Sequence, residues 1–110
     1  MALIPAYGFR MSTAPRIEIF YAQVCGLCHK AMDYFRGRGL AFHAHEVHWD
    51  AQADAFVDSE NTRAMYDRCG RRVDFVPQIF INGRHIPGWR KLEPMIQSGE
   101  LDRMLSEPNP

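Results

Sequence analysis

The sequence predicts an α/β domain built on one mixed four-stranded sheet, in the order β-α-β-α-β-β-α, with helices on both faces. Three observations carry that prediction. Short β-branched or aromatic runs alternate with segments of helical apolar spacing in the first two-thirds of the chain, as in a parallel βαβ unit. Asn82-Gly83, between two short apolar runs, is a strong hairpin signal and adds an antiparallel pair. At 110 residues the chain has room for one hydrophobic core and not for two.

Each element has its own signal. Residues 1–15, broken by proline and glycine, are expected to be a flexible extension ahead of a folded domain at 16–106, with 107–110 as a tail. Arg16–Ala22 reads as a buried strand. Gly26–Arg38 reads as a helix, stopped by Gly37-Arg38-Gly39. Leu40–His48 is predicted as a second strand, with Leu40, Phe42 and Ala44 alternating. Asp50 is the expected N-cap of a long helix from Ala51 to Cys69, with Ala55, Phe56, Met65 and Tyr66 facing inward and Gly70 ending it. Pro77–Ile81 and Arg84–Ile86 are the hairpin strands. Pro87-Gly88 turns the chain into a helix over about Arg90–Gln97, and Glu100–Leu105 forms a short terminal piece after Ser98-Gly99. Phe20, Phe35, Phe42, Ile79, Phe80 and Leu92 are expected in the core.

Composition narrows the function classes. Thirteen basic and thirteen acidic side chains leave no net charge, so nothing points to nucleic acid or an anionic membrane as a partner. No apolar run approaches the roughly 18 residues of a membrane span, and the N-terminus has no basic region ahead of an apolar stretch. Three cysteines, two of them with only two residues between them, suit a reducing cytoplasm better than a secreted disulfide scaffold.

The chemistry lies in Cys25-Gly26-Leu27-Cys28, at a strand-to-helix junction. Unpaired N–H groups and the dipole at a helix start favour an anion, so the first sulfur gains thiolate character, the nucleophilic form. The second sulfur, one turn on, is placed to close a reversible disulfide. Cys25 is expected exposed and Cys28 buried. The same pair as half of a zinc site needs a second ligand pair, and the sequence has no second CxxC.

Taken in order, these residues resemble the glutaredoxin branch of the thioredoxin-like superfamily. The matching landmarks are Cys25-Gly26-Leu27-Cys28 with Ala31 and Phe35 beyond it, Val76-Pro77-Gln78-Ile79-Phe80-Ile81-Asn82-Gly83, Ile86-Pro87-Gly88, and Ser98-Gly99-Glu100-Leu101-Asp102. The resemblance covers about residues 16–106. It implies a thioredoxin-like fold and a thiol–disulfide oxidoreductase of the dithiol type, with Cys25 and Cys28 catalytic. It implies a cis bond before Pro77, holding Val76 beside Cys25 where its backbone can pair with a substrate cysteine. It implies a glutathione site at Val76, Pro77, Gly88, Trp89 and Arg90. Glutathione is then the reductant, disulfide-bearing proteins are partners, no metal or tightly bound cofactor is required, and the chain is a monomer.

The sequence also departs from that family. A lysine common three residues before the first cysteine is Ala22 here. The threonine before Val-Pro is Phe75, and the acid after the Gly-Gly turn is replaced by Arg90-Lys91. Gly88-Trp89-Arg90 is similar to redoxins that lack a glutathione site and draw on thioredoxin reductase, which stands as one alternative. The other is a carrier in which two chains hold a 2Fe–2S cluster with Cys25 and two glutathione thiols. One of Arg63, Arg68, Arg71 and Arg72 is a candidate substitute for the missing lysine, against a solvated basic face. Cys69 reads either as a regulatory thiol or as a small packed side chain. His43, His45 and His48 read either as metal ligands or as a solvated strand face, and His29 as a neighbour of the thiol or an exposed helix residue.

Overall fold

The structure, a computed structural model, describes residues 14–107. The expected extension, apart from Ala14 and Pro15, and residues 108–110 of the expected tail lie outside the described residues. The strands are β1 (Ile17–Tyr21), β2 (His43–Glu46), β3 (Trp49–Asp50), β4 (Ala55–Phe56), β5 (Gln78–Ile81) and β6 (Arg84–Pro87). The helices are α1 (Gly26–Gly37), α2 (Glu60–Cys69), α3 (Trp89–Ser98) and α4 (Glu100–Ser106).

The main sheet runs β2-β1-β5-β6. β1 pairs with β2 in parallel, with Ile19 opposite Ala44, and with β5 in antiparallel, with Ile19 opposite Ile79. β5 and β6 form the predicted hairpin, Ile79 facing Ile86. Alternation along the strands sorts the core into two layers. Ile17, Ile19, Ile79 and Ile81 pack on one face with Ala31, Met32 and Phe35 of α1, Leu92 of α3 and Leu101 of α4. Phe20 and Phe80 point to the other face and meet Met65 of α2 with Val47, Phe56 and Val73. Each such buried side chain larger than alanine contributes roughly 1.5–3 kcal/mol through its removal from water. The architecture is the mixed four-stranded α/β fold that the sequence predicts, with helices on both faces. Of the expected core residues only Phe42 is half-buried, its ring 5.9 Å from that of Phe35.

One prediction fails clearly: no helix runs from Ala51 to Cys69. The Asp50 carboxylate does cap a turn, accepting from the N–H groups of Gln52 and Ala53 at 3.0 and 3.3 Å. The chain then reverses through Asp54 at φ +54° rather than winding on. The reversal brings Phe56 opposite Trp49 in a small second sheet, their rings 4.9 Å apart and edge to face. The cap of α2 is Ser59, whose Oγ accepts from the Thr62 N–H at 3.0 Å, and Gly70 ends the helix in the left-handed region as expected. Ala55 and Phe56 are therefore strand residues, Met65 is buried on α2, and Tyr66 is half-buried. The second strand is also shorter than expected: Leu40 belongs to the closing turn of α1, its N–H donating to the Phe35 carbonyl at 3.0 Å.

Candidate active site

The site forms where β1 hands the chain to α1. The Cys25 N–H donates to the Ala22 carbonyl at 3.1 Å, closing a tight turn, and Val24 stands at its tip, 93% exposed. Cys25 is the N-cap of α1, and its Sγ accepts from the Cys28 N–H at 3.1 Å. A sulfur thus occupies the place where a serine or aspartate oxygen would ordinarily take up an orphan donor. The sulfur therefore sits at the open end of the helix with a backbone donor aimed at it. Cys25 is half-buried and Cys28 fully buried, and both are free thiols. Burial first, and then the hydrogen bond to Cys25, push the Cys28 thiol far up. The two sulfurs therefore stand in opposite environments one helical turn apart.

A second wall comes from the segment ahead of β5. The Val76–Pro77 peptide bond is cis, and the Val76 carbonyl lies 3.6 Å from Cys25 Sγ, within reach of its S–H. Past β6, Gly88 begins α3 at φ +92°, a conformation that glycine adopts freely. A Cβ there would sit 3.2 Å from the Phe75 ring. Between these walls runs a groove of about 430 Å³, lined by Leu27, Phe75, Val76, Pro77 and the Pro87–Arg90 segment. All five residues of the expected substrate site line it. Trp89 is nearly buried, packed into the α1/α3 core, and Lys30 Nζ lies 5.2 Å from its ring centroid.

Three lining residues, Leu27, Phe75 and Pro87, were not among the expected site residues. Leu27 carries a signal in hindsight: an apolar side chain in the first turn of α1, 43% exposed. Conversely, none of Arg63, Arg68, Arg71 and Arg72 lines the groove. Arg63 pairs with Asp58 at 2.8 Å, and Arg71 and Arg72 border separate cavities beside Tyr66. Arg68 is drawn to the sheet, 3.0 Å from Glu18, and lies over the Phe80 ring at 4.3 Å. Glu18 is the buried anion of the second face, held also by Arg16 at 3.2 Å and His45 at 3.4 Å. Burial would raise its carboxyl, but hydrogen bonds from Arg68, Arg16 and His45 and the Arg68 charge bring it down from 4.5 to about 2.

His45 thus answers to Glu18 and to the Phe20 ring 4.9 Å away, while His43 is exposed and the His48 ring lies 4.0 Å from Glu46. His29 turns from the thiol to the Gln23 carbonyl at 2.7 Å. Cys69 packs against the second core layer, 3.6 Å from His85 Nε2. Burial raises its thiol, outweighing the opposing charges of Arg68 and Arg71.

Comparison with known proteins converges on one family. The glutaredoxin family model matches residues 17–86. Glutaredoxin 3 of Escherichia coli K12 is 33% identical over 89 residues, spanning 81% of this chain and 95% of that protein. Glutaredoxin-C8 of rice is 30% identical over 90 residues, spanning 82% of this chain but only 62% of the rice protein. The solution structure of a glutaredoxin from Brucella melitensis superposes with a TM-score of 0.60 at 27% identity, covering 86% of this chain and 91% of that one.

Proposed function

This chain belongs to the glutaredoxin family of thiol–disulfide oxidoreductases, and on that premise we propose that it reduces glutathione mixed disulfides and protein disulfides with glutathione as the electron source. The observation that carries the proposal is the opposed setting of its two sulfurs: Cys25 at a helix start with an N–H aimed at it, and Cys28 sealed beneath.

In the one-thiol route the Cys25 thiolate attacks the glutathionyl sulfur of a mixed disulfide. The S–S bond breaks, the partner leaves as a thiolate that takes up a proton, and glutathione stays on Cys25. A second glutathione, as thiolate, attacks that glutathionyl sulfur, releasing glutathione disulfide and restoring the Cys25 thiolate. In the two-thiol route Cys25 attacks a protein disulfide, and Cys28 then attacks the Cys25 sulfur. The Cys28 proton passes to the departing protein thiolate, which leaves a Cys25–Cys28 disulfide for two glutathiones to reduce. Cys28 is held protonated by burial and by the neighbouring Cys25. Once Cys25 is a neutral disulfide that second cause is gone, while burial still holds the thiol up, so Cys28 gives up its proton in the course of its attack on the Cys25 sulfur.

The groove supports the substrate class. It is apolar along Leu27, Phe75 and Val76, and it reaches the start of α3, where no side chain caps the first-turn N–H groups. The Val76 carbonyl lies 3.6 Å from Cys25 Sγ, and in this reading the Val76 backbone pairs with the backbone of a substrate cysteine in the manner of an added strand. The chain acts in this reading as a cytoplasmic monomer and needs no metal. The test is turnover of a glutathionylated peptide with two electron sources in parallel: glutathione with its reductase, and thioredoxin reductase alone. Activity with glutathione that Cys25→Ser abolishes is the expected result. Activity with thioredoxin reductase alone assigns the chain to the other class of redoxin.

A further inference from the structure

A glutamine is sealed into the sheet behind the groove. Gln78 opens β5, next to Pro77, and has no exposed surface. By strand alternation it shares a face with Phe80. An apolar side chain would fill that place without burying an amide, which is costly unless its donor and acceptor are both used. Here both are used. The Gln78 Nε2 group donates to the Phe75 carbonyl at 2.9 Å, and Oε1 accepts from His85 Nε2 at 2.6 Å. A carbonyl only accepts, so the amide nitrogen must face Phe75 and the amide oxygen must face His85. His85 therefore carries a proton at Nε2. Its ring is itself held flat on Phe80, opposite it in the hairpin register, with centroids 4.8 Å apart and planes 12° from parallel. The same Nε2 lies 3.6 Å from Cys69 Sγ.

This run of bonds ends at the groove wall. Phe75 belongs to the segment 71–77, which is neither helix nor strand and so lacks the backbone ladder that holds β5. Its ring lines the groove and is 39% exposed, standing against Gly88, where a Cβ would lie 3.2 Å away. Gln78 itself does not line the groove. We propose that Gln78 is a positioning residue for sulfur exchange: its buried amide, aimed by His85, holds the Phe75 carbonyl and thereby sets the Phe75 ring in the wall that receives the disulfide substrate. Gln78 acts through Phe75 and leaves the Cys25 sulfur alone. The wall is thus fixed from the opposite side of the sheet, by a histidine that packs on the α2 face. This assignment deepens the oxidoreductase reading above and rests on it.

The experiment is a double-mutant cycle read on a glutathionylated peptide at saturating glutathione. Gln78→Met keeps the length of the side chain and removes both of its bonds. It is expected to raise the KM for the peptide by about twofold or more while kcat stays within about twofold, the pattern of a lost binding surface. The rate of Cys25 alkylation by iodoacetamide is expected to stay within about twofold of the parent, because the sulfur keeps its own surroundings. In a Phe75→Ala background the same substitution is expected to leave KM unchanged, since the ring it positions is gone. A purely structural loss would multiply into both backgrounds alike. Should Gln78→Met not fold, His85→Phe replaces it in the cycle, removing the donor to Oε1 while keeping an aromatic ring on Phe80, with the same expected readings. Three results overturn the proposal alone: a KM rise of less than about twofold, a fall in kcat with KM unchanged, or an equal rise with and without the Phe75 ring. Absence of turnover by the wild-type chain overturns the oxidoreductase reading and the proposal with it.

Discussion

Cys25 and Cys28 are the same residue type three places apart, and their surroundings divide the labour. The Cys28 N–H is aimed at Cys25 Sγ, while the Cys28 side chain has no exposed surface. Cys25 is therefore expected to be alkylated by iodoacetamide at pH 7 about tenfold or more faster than Cys28 or Cys69, as peptide mapping after brief labelling reads directly. Glu18 supports a second prediction, on stability. Its folded carboxyl is depressed to about 2 from an ordinary 4.5, so its contribution is complete above pH 4.5 and is lost as pH falls toward 2. Glu18→Gln is expected to cost on the order of 2–3 kcal/mol at pH 7 and to flatten the fall in stability between those pH values. Urea unfolding at several pH values measures both effects. A variant as stable as the parent at pH 7 contradicts the network described around Arg68.

At the scale of elements, the caps decide where helices begin. Ser59→Ala is expected to destabilise the fold by about 1 kcal/mol through loss of the bond to the Thr62 N–H. Asp50→Ala, by contrast, loosens only the β3–β4 turn and leaves the helical signal of α2 in far-ultraviolet circular dichroism unchanged. Gly88→Ala places a Cβ 3.2 Å from the Phe75 ring on a residue at φ +92°. It is expected to cost about 1–2 kcal/mol and to raise KM by displacing Phe75 from the groove wall. Denaturant midpoints and steady-state kinetics separate the two effects.

These same elements explain what was legible in the sequence. β1, β5 and β6 were readable because their apolar runs are short and punctuated, and Asn82-Gly83 fixes the hairpin. The helix after Cys25 was readable because a glycine follows it and Ala31 and Phe35 mark its inner face. The segment 51–59 was misread because an aspartate ahead of alanines has the composition of a helix start, while the deciding contact, Trp49 on Phe56, needs the chain to have folded back. The groove was legible in part: the Val76-Pro77 and Gly88–Arg90 segments flag themselves, but Leu27 and Phe75 join them only through tertiary approach. The destination of Arg68 was hidden for the same reason, since Glu18 lies fifty residues away in sequence.

For the molecule as a whole, the two core layers set the position of the reactive sulfur. The isoleucine face anchors α1 and α3 together, so the start of α3 and the start of α1 open onto one groove. The aromatic face holds α2 and Cys69 against the opposite side of the sheet. In the proposed reaction, sulfur exchange takes place at this one place on the surface. The most direct measurement is to expose the Cys28→Ser variant to a glutathionylated peptide without added glutathione, and to map the mixed disulfide by mass spectrometry. The glutathionyl group is predicted on Cys25, in proportion to the peptide released. A chain left unmodified, or one carrying the adduct on Cys69, contradicts the assignment of Cys25 as the attacking thiolate.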